Sequence, residues 1–408
     1  MKAVKGDRDR QSPGSRRGGL WARHPAGMVA GLVCVAFVTG ATAFPGSAAE
    51  AAPPAVGSGA SVAQHRAEAS YWALQRNFYV GGTSLYLGSP SNTCGTYSCL
   101  WPFSNADAGT AFLSGAPAGA RFLAATTARQ AGLRHYFDVH EVSPGGSPQP
   151  PAYESAVKPP LGPGGSTYYD DNAWVGLNLV HAYQLTSDTT YLTMAQDEID
   201  FAVTGWDTST TDGCPGGIYW EDVAGSQRNT TASGANAELA LELASLTGDP
   251  SDLAWATRIY GWVRTCLLQS SDLYGDHVNP NGTLNTTIWS YNQGVMIGAG
   301  VLLYRATGDS TYLEEAEQTA SAAVAYFGTG STLLNQGPAF DAIYFRSLLF
   351  LGGVAPDSAY TAEARSFAQS MWSQRQTTTG LIDPQYGVNG TAPMVEIFSL
   401  LAGSAPVP

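Results

Sequence analysis

Two adjacent aspartates, Asp170 and Asp171, are the residues in this sequence best suited to acid–base chemistry. Glycoside hydrolysis uses two carboxyl groups, and retaining enzymes use one as the nucleophile and the other as the proton donor. Adjacent side chains inside a helix diverge by about 100°, whereas in the first turn both can face an opening. Two close carboxylates repel each other, so one pKa rises and the other stays low. The alternative interpretation is a helix N-cap with acidic residues placed against the helix dipole.

Aromatic and amide side chains are concentrated where four predicted helices begin. Aromatic faces stack on the C–H faces of sugars, and amides bind pairs of hydroxyl groups. This composition predicts a carbohydrate cleft, and the alternative is that the aromatic residues only plug one end of the fold. The predicted substrate-binding residues are Tyr169, Trp174, Trp220, Asn229, Trp289, Tyr291, Asn292, Gln293, Phe340 and Arg346.

Other chemistries find little support in the sequence. The six histidines form neither a His-Glu-x-x-His pattern nor a triad-like pattern, and there is no glycine-rich phosphate loop. We therefore expect neither a metal site nor a cofactor. Glu221 and Asp222, which follow Trp220, are weaker candidates for a further carboxylate in the cleft.

Four cysteines outside the N-terminal segment predict two disulfides in an oxidising compartment. The short spacing of Cys94 and Cys99 favours a small closed loop, which leaves Cys214 to pair with Cys266. Zinc binding is the alternative, and it is disfavoured because no histidine stands at ligand spacing beside these cysteines.

A repeat of about 50 to 60 residues organises the rest of the chain. Each copy has a turn, with a helix before it that is apolar nearly all round and an amphipathic helix after it. The first kind of helix is typical of a buried layer and the second of an outer layer. The predicted inner helices span residues 172–185, 232–246, 291–306 and 340–354.

An N-terminal pair, at about residues 61–79 and 119–137, and a last apolar helix, at about 393–402, bring the total to six inner and five outer helices. Six buried helices surrounded by amphipathic ones predict an all-α fold, an (α/α)6 barrel. A linear helical solenoid is the alternative. In a barrel, the segments that enter the inner helices open onto one rim, which would bring the aspartates and the aromatic residues together.

The first 49 residues have the layout of a secretory signal peptide, with seven Lys and Arg, an apolar run over residues 26–38 and then small residues. The run is shorter than the roughly 20 residues that span a membrane, which disfavours the alternative of a membrane anchor. Arg16 and Arg17 are compatible with twin-arginine export. We predict a signal peptide and cleavage region over 1–49, a linker over 50–60 and a barrel domain over 61–408. The mature protein would be secreted, without stable membrane insertion.

The charge balance restricts the partners. The chain has 20 Lys and Arg against 33 Asp and Glu, a net charge of −13, and without residues 1–49 the net charge is nearer −18. Such a protein repels nucleic-acid phosphates and anionic membranes. We therefore expect a neutral polysaccharide as the partner, no nucleic acid, and a monomeric domain.

Four motifs in a fixed order resemble glycoside hydrolase family 76, the endo-α-1,6-mannanases. They are Tyr-Tyr-Asp-Asp-Asn-Ala-Trp at 168–174, Gly-Gly-Ile-Tyr-Trp at 216–220, Arg-Asn-Thr at 228–230 and Trp-Ser-Tyr-Asn-Gln-Gly at 289–294. The similarity covers about residues 167–401 and extends more loosely back to 61. The resemblance implies an (α/α)6 barrel and a retaining enzyme, with Asp170 as the nucleophile and Asp171 as the acid/base. The loop around Cys94 and Cys99 is not a signature of the family.

The function that the resemblance implies is endo-hydrolysis of α-1,6-mannosidic linkages by double displacement. The substrate would be α-mannan or another mannose-containing cell-wall glycan. Two alternatives remain: a transglycosylase that remodels the cell wall, and a non-catalytic carbohydrate-binding protein that kept the barrel.

Overall fold

The computed structural model describes residues 58–89, 92–139, 150–211, 213–223, 225–328 and 332–406. The predicted signal peptide and most of the predicted linker lie outside these residues. The helices are α1 (Ser58–Phe78), α2 (Leu100–Gly115), α3 (Leu123–Leu133), α4 (Tyr169–Thr186), α5 (Thr189–Thr204), α6 (Thr230–Thr247), α7 (Pro250–Leu267), α8 (Ser290–Thr307), α9 (Ser310–Phe327), α10 (Pro338–Gly352), α11 (Ser358–Ser373) and α12 (Val388–Leu401).

Short strands and single turns of 3-10 helix join these helices. The two-residue strands are β1 (Tyr79–Val80), β2 (Leu85–Tyr86), β3 (Phe137–Asp138), β4 (Ala152–Tyr153), β5 (Arg228–Asn229), β6 (His277–Val278) and β7 (Leu284–Asn285). They pair antiparallel as β1–β2, β3–β4 and β5–β6–β7. The 3-10 turns are Ala120–Phe122, Leu333–Asn335 and Pro384–Tyr386. These elements all lie in the connections between the helices.

The even-numbered helices form a closed inner ring. Each packs against the next in the order α2, α4, α6, α8, α10, α12, and α12 returns to α2, while the odd-numbered helices pack outside. The burial patterns explain this arrangement, because α8 buries side chains all round and α9 buries only a stripe at helical spacing. The predicted (α/α)6 barrel is confirmed, and no helix in the described part of the chain is long and apolar enough to cross a membrane.

The number of outer helices was predicted wrongly. The N-terminal pair corresponds to α1 and α3, which both lie in the outer layer, and the missing inner helix is α2. The described residues thus contain six inner and six outer helices. Polar residues interrupt the apolar pattern of α2, although Asn105, Asp107 and Thr110 are all buried. The last helix also begins earlier than predicted, at Val388, with Pro393 inside it.

The predicted turn repeat is a repeat of helix caps. Four outer helices begin after an aspartate whose carboxylate accepts a hydrogen bond from the backbone N–H two residues later. A cap of this kind stabilises a helix by about 1 kcal/mol. The capping residues are Asp188, Asp249, Asp309 and Asp357.

The two predicted disulfides are confirmed, as Cys94–Cys99 and Cys214–Cys266. The first lies immediately before α2, and the second joins the connection between α5 and α6 to the end of α7. Both therefore restrain segments outside the helical ring.

Candidate active site

A cavity of about 350 Å³ lies at the end of the barrel where the inner helices begin. Six predicted site residues line it: Asp170, Asp171, Trp174, Trp220, Tyr291 and Phe340. The other lining residues, which the sequence did not single out for the cleft, are Thr93, Cys94, Cys99, Trp101, Ser155 and Tyr168. A larger cavity of about 770 Å³ lies at the opposite end, where α4, α6 and α8 finish, and none of the predicted site residues lines it. The chemistry that the sequence predicts therefore belongs to the smaller cavity.

The two aspartates occupy the first turn of α4. The N-cap of this helix is Tyr168, so neither aspartate is the cap residue. Asp170 Oδ1 accepts a hydrogen bond from the backbone N–H of Asp171 (3.1 Å), and Asp170 Oδ2 accepts one from Trp220 Nε1 (3.2 Å). No N–H group among the described residues donates to the carboxyl group of Asp171. The pair is therefore asymmetric, with two donors on one member.

The asymmetry decides which carboxyl group carries a proton. Burial raises the pKa of Asp170 to about 7, against the opposing effect of its N–H donors. Burial raises the pKa of Asp171 well above the usual range, and the adjacent charge of Asp170 raises it further. Hydrogen bonds to a carboxylate favour its ionised form. Near neutral pH the pair holds one proton on Asp171, while Asp170 is the member that ionises.

A third carboxylate, which the sequence analysis missed, acts on Asp170. Asp276 lies directly before β6. Burial raises the pKa of both Asp170 and Tyr291, and the charge of Asp276 raises both pKa values further. Its Oδ2 lies 2.9 Å from Nδ1 of His277. The sequence signal was an adjacent Asp-His pair just upstream of the α8 entrance, and the β5–β6 pairing brings this pair towards the site.

Aromatic residues form three groups around the cavity, one of which is Trp220 with Tyr168 packed against it at a tilt, ring centroids 4.8 Å apart. Tyr291 and Phe340 stack in parallel with ring centroids 4.0 Å apart, and the edge of Trp289 meets Phe340 at 5.7 Å. Trp101 packs at a tilt against Trp174, with centroids 5.8 Å apart. In the inner ring α2 lies opposite α8, so Trp101 and Tyr291 stand on opposite sides of the cavity.

Three predicted binding residues are buried beside the cavity and do not line it. Tyr169 stacks on Phe201 and donates its hydroxyl hydrogen to Asp222 Oδ1 (3.0 Å). Asn229 is buried in β5. Arg346 is 4% exposed and lies in the barrel core, with Nη1 3.6 Å from Glu396 Oε1. In this structure the Tyr169 hydroxyl ties the start of α4 to the segment that carries Asp222.

The amides of Asn292 and Gln293 hold the segment that carries Asp276. Gln293 accepts from the backbone N–H of Tyr274 (2.8 Å) and donates to the Tyr274 carbonyl (3.0 Å). Asn292 donates to the carbonyl of Gly275 (3.3 Å). Both amides are fully buried. They therefore position Asp276 relative to α8, and they lie outside the cavity lining.

Arg228 holds the segment that leads to Trp220, as the two amides hold the segment of Asp276. Its guanidinium pairs with Asp207 (2.6 Å) at 1% exposure and donates to the carbonyls of Gly213, Cys214 and Gly216. Trp220 in turn accepts the backbone N–H of Tyr169 at its carbonyl oxygen (2.9 Å). The Arg-Asn-Thr motif thus contributes a positioning residue that the sequence analysis did not single out.

Comparisons with known proteins agree with this geometry. The sequence model of glycosyl hydrolase family 76 matches residues 159–401 of the chain. The chain is similar to mannan endo-1,6-alpha-mannosidase DCW1 of Candida glabrata, at 28% identity over 174 residues, which make up 39% of this chain and 38% of the relative. The match therefore spans less than half of that relative's length.

Two solved structures share the fold. A glycoside hydrolase family 76 mannosidase, Bt3792 from Bacteroides thetaiotaomicron, superposes with a TM-score of 0.70 at 22% identity, over 84% of this chain and 98% of its own. The second is an inactive variant of the α-1,6-mannanase GH76A of Salegentibacter sp. HEL1_6, with two adjacent aspartates changed to asparagine and α-1,6-mannotriose bound. Its TM-score is 0.65 at 20% identity, over 83% of this chain and 99% of its own. At these identities the similarity establishes a common architecture.

Proposed function

The chain belongs to glycosyl hydrolase family 76, and on this premise we propose that it is a secreted, retaining endo-glycosidase that cleaves α-1,6-mannosidic linkages in mannan-type polysaccharides. The observation that carries the proposal is the Asp170–Asp171 pair, with two N–H donors on Asp170 and none from the described residues on Asp171. Retaining hydrolysis needs this division between an ionised nucleophile and a protonated acid.

In the first step, the carboxylate of Asp170 attacks the anomeric carbon of the mannose residue. The bond from that carbon to the glycosidic oxygen breaks, and Asp171 donates its proton to the departing oxygen. The product is a mannosyl ester on Asp170. Since the ester carries no charge, the repulsion that held the proton on Asp171 is removed, and Asp171 is left as a carboxylate.

In the second step, Asp171 takes a proton from a water molecule, which attacks the same anomeric carbon. The ester bond breaks, Asp170 returns to its carboxylate form, and Asp171 is protonated again. Two inversions at one carbon give overall retention. The chain's own residues supply every proton transfer in this scheme.

A neutral sugar substrate is supported by the cavity lining. Among the described residues no Lys, Arg or His lines it, so it offers no counter-charge to an anionic sugar, and the two aspartates would repel one. Aromatic faces stand on both sides to receive the pyranose. The relatives' names add support for mannan: one is a mannan endo-1,6-alpha-mannosidase, and a structural neighbour binds α-1,6-mannotriose.

Secretion and a single barrel domain are part of the proposal. Disulfides persist in oxidising compartments, and this chain has two. The N-terminal pattern over residues 1–49 supports export by a signal peptide. Residues 61–408 would then act as one monomeric hydrolase domain.

The test is incubation of the mature domain with linear α-1,6-mannan, followed by proton NMR of the first anomeric signals and sizing of the products. We expect α-configured oligosaccharides at early times. A β-configured first product would overturn the double displacement, and the absence of products would overturn the hydrolase proposal in favour of carbohydrate binding alone. Products longer than an added oligosaccharide acceptor would instead identify a transglycosylase.

A further inference from the structure

The segment 92–99, here called the disulfide loop, contributes to the cavity that holds the two aspartates. Thr93, Cys94 and Cys99 line this cavity together with Asp170 and Asp171. Cys99 is the N-cap of α2 and is followed in the first turn by Trp101. Because α2 stands next to α4 and opposite α8 in the inner ring, the disulfide loop forms the wall that faces the Tyr291–Phe340 stack.

The two limbs of the disulfide loop are held in different ways. The limb 95–98 has backbone hydrogen bonds from Gly88 N–H to the Thr96 carbonyl (3.0 Å) and from Ser98 N–H to the Tyr86 carbonyl (2.9 Å). The side chain of Asn92 also donates to the carbonyl of Tyr97 (2.8 Å).

The other limb, Thr93 and Cys94, lines the cavity. It has no backbone hydrogen bond to another described residue. The Asn92 side chain spans this limb with a hydrogen bond to the carbonyl of Gly95 (2.8 Å), and the covalent link from Cys94 to Cys99 ties the limb to the start of α2.

The exposed side-chain groups of the disulfide loop and of Trp101 are suited to binding a neutral sugar. Thr93 is exposed, and its hydroxyl can both donate and accept a hydrogen bond to a sugar hydroxyl. Cys99 and the indole of Trp101, both partly exposed, offer apolar surface to a C–H face. A pyranose that lies over the aspartates would then be bounded by this wall on one side and by the Tyr291–Phe340 stack on the other.

We infer that the disulfide loop is a substrate-binding wall of the active site, with Thr93 as a contact for a sugar hydroxyl and the Cys94–Cys99 bond as the positioning device that keeps Thr93 in place. The inference rests on the proposed function, because it takes a mannose residue of an α-1,6-linked chain as the ligand. A wall that contacts bound sugar without touching the reacting atoms contributes to binding in the ground state and the transition state alike. Its loss therefore raises KM and leaves kcat nearly unchanged.

The second disulfide provides a matched control. Cys214–Cys266 closes a sequence separation of 52 residues, against 5 for Cys94–Cys99, and neither of its cysteines lines the cavity. Longer closed loops stabilise a fold more than short ones. The variant Cys94→Ser/Cys99→Ser should raise KM for α-1,6-mannotetraose about tenfold with a small fall in Tm, while Cys214→Ser/Cys266→Ser should lower Tm more and leave KM unchanged.

Two further measurements distinguish a disulfide loop that binds substrate from one that only stabilises the fold. Thr93→Val keeps the disulfide and the side-chain shape but removes the hydroxyl, and it should raise KM about threefold to tenfold. In the Cys214→Ser/Cys266→Ser background the remaining disulfide can be reduced with dithiothreitol and then reoxidised. KM should rise on reduction and return on reoxidation of the same sample.

Binding of α-1,6-mannotriose to Asp170→Asn, measured by calorimetry, tests the wall without relying on hydrolysis. Adding Cys94→Ser/Cys99→Ser should weaken this binding about tenfold. Unchanged Kd and KM in the loop variants would overturn the inference and leave the proposed function intact. If the trisaccharide does not bind even with the loop unaltered, the proposed mannan substrate is wrong and the inference is overturned with it.

Discussion

The indole N–H of Trp220 donates a hydrogen bond to Oδ2 of Asp170 over 3.2 Å. The backbone carbonyl of the same residue accepts the N–H of Tyr169, at the start of α4. Trp220 thus fixes both the N-terminus of α4 and one carboxylate oxygen of Asp170, which lies in the first turn of that helix. A hydrogen bond to a carboxylate favours the ionised form, so this contact favours ionisation of Asp170 over Asp171, as the proposed role of Asp170 as nucleophile requires.

Replacing Trp220 should shift the pH profile. A hydrogen bond to a charged group contributes about 1.5 kcal/mol or more, and one pKa unit corresponds to about 1.4 kcal/mol. Trp220→Phe should therefore raise the pKa of Asp170 and move the acidic limb of the kcat/KM profile to higher pH by about one unit. Tyr219→Phe, which removes a hydroxyl bonded to Asp207, is the control and should leave the limb in place. An acidic limb that does not move in Trp220→Phe would show that the contact does not tune Asp170.

Replacing each of the two aspartates should affect the reaction differently. Asp170→Asn removes the proposed nucleophile, and Asp171→Asn removes the proposed proton donor. Each variant should lower kcat on α-1,6-mannan at least about 10³-fold. A mannosyl fluoride carries a leaving group that needs no proton. Asp171→Asn should therefore still release fluoride in a first turnover, and Asp170→Asn should not. If Asp170→Asn releases fluoride at the wild-type rate, the roles assigned to the pair are wrong.

The stack of Phe340 on Tyr291 should contribute to substrate binding. Phe340→Ala removes an aromatic face that lines the cavity and leaves Tyr291 without its partner at 4.0 Å. Aromatic pairs contribute about 0.5–1.5 kcal/mol beyond the area they bury, so kcat/KM should fall roughly tenfold through KM. Phe350→Ala, in the same helix but at the larger, opposite cavity, should destabilise the fold without changing KM. Equal KM values in the two variants would exclude Phe340 from the binding surface.

The sequence predicted the inner helices α4, α6, α8 and α10 because each is followed by a copy of the turn whose aspartate caps the next outer helix. No such aspartate follows α2, since α3 begins without a side-chain cap. The same reasoning could not find α2. Two of its polar side chains bond residues of other helices: Asp107 bonds Gln130 of α3, and Asn105 bonds Asn389 of α12. No local pattern reveals such pairings, so the interrupted sequence did not look like a buried helix.

In the candidate site too, some residues could be placed from local sequence patterns and others only from contacts between distant segments. Asp170, Trp174 and Tyr291 follow helix starts, and a barrel necessarily gathers helix starts at one rim, so their place in the cavity could be predicted. Asp276 reaches Asp170 through the pairing of β5 with β6 and through the buried amides of Asn292 and Gln293, which hold residues 274 and 275. The disulfide pairing was predicted as well, but the position of Cys94 in the cavity wall depends on the path of an irregular loop, which hydrophobic periodicity does not encode.

The buried ion pair of Arg228 with Asp207 should be essential to stability. Asp207→Asn leaves the guanidinium charge buried without its counter-charge, which costs about 3–5 kcal/mol of the free energy of unfolding. The double variant Asp207→Leu/Arg228→Met should recover only part of this loss, because three carbonyls lose their donor. Urea unfolding measures the free energy of unfolding of the single and the double variant. As a control, Glu68→Gln breaks the exposed pair with Arg121 and should cost less than about 1 kcal/mol; an equally small loss in Asp207→Asn would contradict the prediction.

Asp107 should make the stability of the barrel depend on pH. It lies in α2, buried, with Oδ2 2.8 Å from Gln130 Nε2, and burial raises its pKa from the usual 3.8 to about 7. Between these values the folded state keeps a proton that the unfolded state releases. The stability from this group is therefore fully present below about pH 4 and is lost as the pH rises through 7, at up to about 1.4 kcal/mol per pH unit.

An amide at this position should remove that dependence. Asp107→Asn cannot ionise, and Gln130 can present its unpartnered Oε1 to the new amide after a flip of its side chain. Urea unfolding at pH 5, 6 and 7 should show a decline in the free energy of unfolding for the wild type that is smaller in Asp107→Asn, by up to about 1.4 kcal/mol per pH unit. Asp188→Asn is the control: its exposed carboxylate has a lowered pKa because it caps α5, so it is ionised over the whole interval and its removal leaves the slope unchanged. Parallel slopes for the wild type and Asp107→Asn would show that Asp107 is not the group that takes up the proton.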